Sequence, residues 1–270
     1  IGILAYIAYR IFVLKNNNSH LVEILALLSV ILFLSGVAFV DDLLGWQHGG
    51  LSRRSRLILV LIAAVPLMAI NAGKSIISIP LMGKIDLSLI YPLIIIPIGI
   101  VGATTTFNFL AGFNGLEAGM GIVYMLGLGT FALLTQNQIA ILFLVSAATL
   151  LGFIKFNWYP AKILPGDSLT YLLGSLLATG LIVGNMERLG IIVMIPFFVE
   201  LILKMRSRFT ATSLGRLRAD GTIENIYGKK IYSLTHIVMR LGRFTENQIT
   251  IILVLVETLF VIFGLTVYLL

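Results

Sequence analysis

Residues 21–42 have the sequence LVEILALLSVILFLSGVAFVDD, an almost wholly apolar run that is closed by two aspartates. A transmembrane helix needs about 20 apolar residues to cross the hydrocarbon layer of a bilayer. The run is continuous and does not alternate between apolar and polar residues, as the strands of a membrane barrel do. It therefore predicts a membrane-spanning helix that carries a pair of acids at its end.

The rest of the chain has the same character. Of its 270 residues, 59% are hydrophobic and 11% are charged, and the mean hydropathy is +1.04. Soluble domains carry about 25% charged residues. A soluble fold of this size could not bury so much apolar surface. The sequence thus predicts an all-α, polytopic transmembrane helical bundle that forms a single domain, 1–270. We expect about nine spans, near 1–14, 21–40, 56–73, 89–109, 118–135, 138–155, 168–184, 189–204 and 248–269.

The first predicted span is short, and the chain begins with Ile1. We therefore expect the sequence to start inside a transmembrane helix, with an N-terminal span missing.

The basic residues are distributed unevenly between the two sets of alternating loops. One set, with its adjoining residues, holds fourteen of the nineteen: Arg53, Arg54, Arg56, Lys155, Lys162, Lys204, Arg206, Arg208, Arg216, Arg218, Lys229, Lys230, Arg240 and Arg243. The positive-inside rule predicts that this set lies in the cytoplasm. Its largest member, 205–247, is predicted to be a cytoplasmic basic loop within the domain. Because the charges lie between apolar runs, the net charge of +7 indicates a membrane orientation and no nucleic-acid partner.

Acids and amides collect at this same predicted face. Asp41 and Asp42 end the second span in FVDDLLGW, Asn108, Asn114 and Glu117 lie in TTFNFLAGFNGLEAG, and Asp167 opens the seventh span in FNWYPAKILPGDS. Oxygen ligands of this kind suit a hard cation, and Mg²⁺ fits best if phosphates complete its coordination. Each signal has a plainer explanation. An Asp pair often ends a solvated helix, Asn-Gly is typical of a turn, and Gly-Asp is typical of a helix N-cap.

Other polar groups leave alternatives open. The arginines of the basic loop, Arg206, Arg208, Arg216 and Arg218, could hold a pyrophosphate through their guanidinium groups. They could equally reflect the positive-inside bias and attraction to anionic lipid. Glu200 and Glu257 lie within apolar spans, where they either form an ion path or satisfy a neighbouring helix. His236 is a lone loop histidine.

The three motifs FVDDLLGW, NFLAGFNGLEAG and FNWYPAKILPGDSLTYLLG resemble those of the polyprenyl-phosphate N-acetylhexosamine-1-phosphate transferases, of the glycosyltransferase family 4 type. That family includes the bacterial phospho-N-acetylmuramoyl-pentapeptide transferase. The residues of these motifs are most similar to those of the dolichyl-phosphate GlcNAc-1-phosphate transferase branch of archaea and eukaryotes. The resemblance extends in order over almost the whole chain.

The resemblance implies roles for individual residues. Asp41 and Asp42 match the paired aspartates of the active site, and Asn108 and Asp167 match its Mg²⁺ ligands, with Mn²⁺ as an alternative ion and Asp167 also counted as catalytic. The candidates for substrate binding are Asn114, which matches a uracil contact, the arginines of the basic loop, His236 near a histidine motif, Glu117 and Arg56.

The reaction implied is the transfer of GlcNAc-1-phosphate from UDP-GlcNAc to a polyprenyl (dolichyl) phosphate with release of UMP, the first step of lipid-linked oligosaccharide assembly for N-glycosylation. The active site is expected to face the cytoplasm, in the cell membrane of an archaeon or the ER membrane of a eukaryote, and a homodimer is compatible with it. One alternative is the same chemistry with another sugar or acceptor, for cell-wall or polysaccharide priming. The other alternative, a secondary transporter, predicts paired repeats with broken helices, and no repeat is visible.

Overall fold

The computed structural model describes residues 2–13, 21–79 and 83–269, and helices dominate it. The helices are α1 (Gly2–Ala8), α2 (Leu21–His48), α3 (Arg53–Ala69), α4 (Ile96–Phe109), α5 (Leu116–Leu134), α6 (Ala140–Asn157), α7 (Gly166–Gly184), α8 (Glu187–Val193), α9 (Ile195–Arg206), α10 (Leu234–Leu241) and α11 (Glu246–Leu269). Single π-helical turns, Tyr9–Val13 and Tyr91–Ile95, continue α1 and precede α4. Two antiparallel hairpins are formed by β1 (Ile76–Ile79) with β2 (Gly83–Asp86) and by β3 (Arg216–Leu217) with β4 (Ile223–Glu224). The all-α prediction is confirmed.

Six helical segments in the described ranges are long and apolar enough to cross a membrane. They are Leu21–Gly45, Tyr91–Phe109, Leu116–Leu134, Ala140–Asn157, Gly166–Gly184 and Glu246–Leu269. Six of the predicted spans coincide with these segments, because a bilayer of fixed thickness demands long apolar helices that are easily recognised in a sequence. A bundle that spans the membrane several times is thus confirmed, whereas the count of nine is not.

The three remaining predicted spans are shorter or broken. The N-terminal helix and its π-helical turn are short, and α3 has 17 residues. The span predicted at 189–204 is divided into α8 and α9 at Met194. Pro196 lies in the first turn of α9, where its missing N–H is tolerated, but it cannot continue the hydrogen-bond ladder of α8. The span predicted at 189–204 is therefore not one continuous helix.

Helix α7 packs against both α2 and α4, and α5 packs against α6 and α11. Close approach of α4 and α7 depends on Gly174, since a Cβ there would lie 2.5 Å from the Cα of Thr104. Small residues at such crossings let helix backbones approach closely in membranes. This contact fixes the end of α4 that carries Asn108 relative to the start of α7 that carries Asp167.

The segment 205–247 is more ordered than the loop that the sequence predicted. It contains the β3–β4 hairpin and α10, and α10 packs on α9 and α11. The segment therefore lies against the bundle at the end where α9 finishes and α11 begins.

Candidate functional site

Four helix ends meet where the acidic residues were predicted to converge. Asp41 lies near the end of α2, Arg56 near the start of α3, Asn108 near the end of α4 and Asp167 near the start of α7. We call this group, together with Asp42, the acidic cluster. The clustering of these residues at one end of the bundle is what the sequence motifs predicted.

Arg56 joins two carboxylates of the acidic cluster. Its Nε lies 2.7 Å from Oδ2 of Asp41, and one terminal nitrogen lies 3.0 Å from Oδ2 of Asp167. Asp41 is 3% exposed, and its Oδ1 accepts a hydrogen bond from the backbone N–H of Leu51. Both oxygens of Asp41 are thus engaged, and the guanidinium is held in one orientation between α2 and α7.

Asp42 has a different role from its neighbour. Its Oδ1 accepts from the backbone N–H of Asp167 at 2.9 Å, and its Oδ2 accepts from the backbone N–H and the hydroxyl of Ser168 at 2.8 and 2.5 Å. These bonds satisfy N–H groups that the first turn of a helix leaves unpaired. Asp42 therefore caps α7 from another helix. The N-cap role considered for Asp167 was wrong, because Asp167 lies inside the first turn.

Gly166 is required for this cap. Its φ is +63°, and a Cβ at this position would lie 2.6 Å from Oδ2 of Asp42. The Gly-Asp pair of the third motif therefore has a geometric reason, since the cap leaves no space for a side chain at residue 166.

Asn108 presents an unsatisfied amide to the acidic cluster. Its side chain points its Nδ2 at the Asp167 carboxylate, but this buried nitrogen makes no hydrogen bond of good geometry with the described residues. The preceding residue, Phe107, stacks on Phe197 and meets the ring of Tyr124 edge-on, which anchors this end of α4. A half-turn of the amide would place its oxygen where the nitrogen now lies.

An unsatisfied amide beside a carboxylate fits a hard cation that prefers oxygen ligands. Within the described ranges, no group of three or more His, Cys, Asp or Glu side chains is arranged to hold a metal ion. Asn108 and Asp167 alone would leave most coordination positions of such a cation to other oxygens.

The α4–α5 loop, which carries Asn114 and Glu117, is fixed through its backbone. Glu246 at the start of α11 accepts from the N–H of Asn114 at 2.8 Å, and Thr250 donates its hydroxyl to the carbonyl of Asn114. Glu117 is buried and accepts from the N–H of Gly112 at 2.7 Å. Glu117 thus stabilises the α4–α5 loop from its buried side.

Sequence reasoning missed Glu246 and Ser168, since an acid or a hydroxyl in a first helical turn is an ordinary helix signal.

The four arginines predicted to bind a pyrophosphate are divided between two places. Arg206 and Arg208 line an open cavity of about 520 Å³ together with Tyr227, Lys230 and Tyr232. Arg216 and Arg218 lie on the β3–β4 hairpin and do not line this cavity.

Arg218 is paired with a carboxylate of its own hairpin. One of its terminal nitrogens lies 2.7 Å from Oε2 of Glu224. The cavity therefore contains cations that could receive an anion, whereas Arg218 already has a partner.

His236 turns its ring nitrogens to the backbone. The ring is buried, its Nδ1 accepts from the N–H of Tyr232 at 3.3 Å, and its Nε2 lies 3.4 Å from the carbonyl of Leu214. Burial lowers the pKa of His236, which favours the neutral ring. In this arrangement His236 fixes the backbone around α10 and does not present a nitrogen to a ligand.

The chain is similar to known membrane transferases. The sequence profile of glycosyl transferase family 4 matches residues 24–185. A Saccharolobus solfataricus protein provisionally named UDP-N-acetylglucosamine–dolichyl-phosphate N-acetylglucosaminephosphotransferase is 40% identical over 77% of this chain and 65% of its own length. A Sulfolobus acidocaldarius protein with the same provisional name is 35% identical over 86% of this chain and 69% of its own length.

Similarity extends to a bacterial enzyme. The phospho-N-acetylmuramoyl-pentapeptide-transferase of Clostridium beijerinckii is 29% identical over 74% of this chain and 64% of its own length. The chain thus spans about two thirds of the length of these relatives.

Proposed function

The chain belongs to glycosyl transferase family 4, and we propose that it transfers N-acetylglucosamine 1-phosphate from UDP-N-acetylglucosamine to a polyprenyl phosphate, a dolichyl phosphate in the first instance. A phosphate oxygen of the lipid attacks the phosphorus that carries the sugar. The bond from that phosphorus to the bridging oxygen breaks, and the oxygen leaves on UMP. The names of the two archaeal relatives support this substrate pair. The observation that carries the proposal is the acidic cluster, in which Asn108 and Asp167 meet beside Arg56.

Asn108 and Asp167 would hold the divalent cation, Mg²⁺ or Mn²⁺, with the diphosphate of the nucleotide sugar supplying further oxygens. The unsatisfied amide of Asn108 beside the Asp167 carboxylate supports this assignment. When bound, such an ion neutralises charge on the diphosphate and on the departing UMP.

The guanidinium of Arg56 is a positive charge that is held in a fixed position. Its side chain is 31% exposed, so it can meet an anion, while Asp41 and Asp167 restrict its movement. A preoriented cation stabilises developing negative charge without the cost of reorganisation. The cationic cavity of Arg206, Arg208 and Lys230 is a second place where phosphate oxygens could be received.

Neither Asp41 nor Asp42 is needed as a base in this proposal. Both oxygens of each carboxylate already accept hydrogen bonds or pair with Arg56. The second pKa of a phosphate monoester is about 6, so the lipid phosphate is largely a dianion at neutral pH and can attack without losing a proton. We therefore assign Asp41 to the orientation of Arg56 and Asp42 to the start of α7.

A second candidate is the same transfer with a different nucleotide sugar. The similarity to the Clostridium phospho-N-acetylmuramoyl-pentapeptide-transferase favours this alternative over a transporter. The two candidates share the diphosphate chemistry and differ in the sugar that the site accepts.

Product analysis distinguishes the candidates. Membranes that contain the protein are incubated with polyprenyl phosphate and with labelled UDP-GlcNAc, UDP-GalNAc or UDP-glucose, and the lipid fraction is extracted. We expect label from UDP-GlcNAc in a diphosphate-linked lipid, with UMP released in equal amount. Label that enters lipid from another nucleotide sugar but not from UDP-GlcNAc supports the second candidate. A lipid fraction unlabelled by any of them, with no UMP, contradicts the proposal.

A further inference from the structure

A second buried polar cluster lies apart from the acidic cluster and is centred on α9. Glu200 is fully buried. Its Oε2 accepts from the backbone N–H of Leu234 at 2.7 Å and from the hydroxyl of Ser233 at 3.0 Å. Ser233 is the N-cap of α10. Glu200 therefore fixes the start of α10 against α9.

Lys204 lies one turn further along α9 and is 4% exposed. Its Nζ lies 3.6 Å from Oε1 of Glu200 and donates to the hydroxyl of Ser213 at 2.8 Å and to the carbonyl of Ala211 at 3.0 Å. The ammonium is thus surrounded by oxygens from α9 and from residues 211–214, which we call the clamped segment.

Ser213 connects the clamped segment to α4. Its hydroxyl donates to the carbonyl of Phe109 at 2.7 Å, and Phe109 directly follows Asn108. On the other side, Thr235 of α10 donates its hydroxyl to the carbonyl of Ser213 at 2.6 Å. The clamped segment is therefore held between α9, α10 and the end of α4 that supplies the amide of the acidic cluster.

The clamped segment also lies between the proposed phosphate-binding residues. Arg206 and Arg208 precede it, Arg216 follows it by two residues, and Leu214 packs against Gly112 of the α4–α5 loop. Any displacement of the segment would move cationic residues on both of its sides relative to Asn108.

A buried ion pair is a poor means of gaining stability. Removing two charges from water costs about as much as their attraction returns, and apolar residues of similar volume often stabilise as well or better. The hydrogen bonds of Glu200 and Lys204 all lead to the backbone or hydroxyls of two segments that flank the site. Glu200 and Lys204 therefore act by fixing the positions of these two segments, and not by adding stability.

We propose that Glu200 and Lys204 are positioning residues for the nucleotide-sugar donor: through Ser213 they hold Arg206, Arg208 and the Asn108 end of α4 in the arrangement that receives the diphosphate. The inference rests on the proposed function. It assigns to this buried pair a role in binding one of the two substrates, whereas a general structural role would affect both.

The decisive variant is Glu200→Gln, measured in the membrane-embedded full chain. Glutamine keeps the shape of the side chain and can still accept from Ser233 and Leu234, but its amide nitrogen would face the Lys204 ammonium. We expect kcat/KM for UDP-GlcNAc to fall by about 10- to 100-fold, mainly through KM, with KM for the lipid phosphate within about twofold of wild type. The double variant Glu200→Gln/Lys204→Gln should lose no more than Glu200→Gln alone, because it also removes the ammonium that the single variant leaves buried without its carboxylate.

Glu257→Gln is the matched control. Glu257 is also a fully buried carboxyl in a span, but its two oxygens have no hydrogen-bond partner among the described residues. It does not touch the clamped segment through any described bond. We expect its kinetic constants for both substrates to match those of the wild type.

A second variant guards against misfolding, and a second readout does not depend on turnover. Ser213→Ala removes the bond to Phe109 without changing a charge, and it should raise KM for UDP-GlcNAc several-fold. Limited trypsin digestion after the arginines of 206–218 should be faster in Glu200→Gln and in Ser213→Ala than in the wild type and in Glu257→Gln.

The outcomes separate the inference from the proposed function. A wild type that releases no UMP contradicts the proposed function, while the trypsin comparison still tests whether Glu200 holds the clamped segment in place. An active wild type whose Glu200→Gln and Ser213→Ala variants keep KM for UDP-GlcNAc and the wild-type digestion rate overturns the inference. Equal changes in KM for both substrates, with reduced thermal stability, also overturn it.

Discussion

Adjacent residues in the first motif contact different helices. Successive residues on an α-helix are rotated by about 100°, so Asp41 faces Arg56 of α3 while Asp42 faces the first turn of α7. The sequence predicted that these acids would meet Asn108 and Asp167, because all four follow from the motifs and the topology. It could not predict that Asp42 caps α7, since the partner of each carboxylate depends on how the helices are rotated about their axes.

The sequence named Arg56 only as a candidate for substrate binding, and the structure places its guanidinium between Asp41 and Asp167. We expect Arg56→Lys to lower the rate of UMP release about tenfold or more, because a single ammonium cannot reproduce the two-sided contact of a guanidinium with Asp41 and Asp167. The measurement is steady-state UMP release in membranes with matched protein content. Arg54→Lys, at an exposed neighbouring position, is the control and should be unchanged. Equal activity of Arg56→Lys and the wild type would contradict the role given to Arg56.

Burial of His236 predicts a pH dependence of stability. Its pKa is lowered mainly by burial, against which the contact with the Leu214 carbonyl acts, and Lys204 lowers it further. The unfolded chain therefore takes up a proton near the ordinary pKa of about 6.5 before the folded protein does, so stability is lost as pH falls below that value. Besides Lys204, the ring faces Tyr227.

The check is thermal unfolding in detergent at pH 7.5 and pH 5.5. We expect the midpoint to fall between these values in the wild type and to fall less in His236→Gln, which cannot be protonated in this range. An identical fall in both proteins would show that His236 is not the group responsible.

At the level of helices, Gly166 at the start of α7 allows Asp42 to cap that helix, and this cap holds two members of the acidic cluster together. Gly166→Ala places a Cβ 2.6 Å from Oδ2 of Asp42 in a backbone with φ of +63°. We expect it to destabilise the protein by about 1–3 kcal/mol and to reduce activity, because Asp42 must move and α7 loses its cap. Thermal unfolding in detergent measures the first effect.

Gly152→Ala is the matched control for this change. Gly152 lies inside α6, and a Cβ there would meet nothing within 4 Å. Alanine favours helices more than glycine does, so this variant should be neutral or slightly more stable. A Gly166→Ala protein as stable and active as Gly152→Ala would contradict the importance of the cap.

Helix boundaries were predictable where composition decides them and were missed where tertiary contacts do. The apolar runs located the six long spans because hydrocarbon thickness sets their length. The break between α8 and α9 could have been recognised from Pro196 alone. The clamp could not, because Ser213 and Ser233 lie outside α9 and meet Lys204 and Glu200 only after the chain folds back onto that helix.

For the whole molecule, the charge distribution predicts which face of the membrane carries the site. The chain has no cysteine, so single cysteines can be introduced and labelled one at a time. We expect Ala219→Cys, exposed near the hairpin of 205–247, to react with a membrane-impermeant maleimide only after cells are permeabilised. Lys74→Cys, exposed between α3 and β1, should react in intact cells. The reverse pattern would contradict the positive-inside assignment.

The central claim is that Asn108 and Asp167, the latter held in place by Asp42 and Arg56, form a cation-dependent phosphotransfer site. The most direct measurement is Mg²⁺-dependent UMP release from UDP-GlcNAc and polyprenyl phosphate by Asp167→Asn. Asp86→Asn, at an exposed position of β2, serves as control. We predict that Asp167→Asn loses this activity while remaining folded in the membrane, and that Asp86→Asn keeps it. Normal Mg²⁺-dependent turnover by Asp167→Asn would contradict the account.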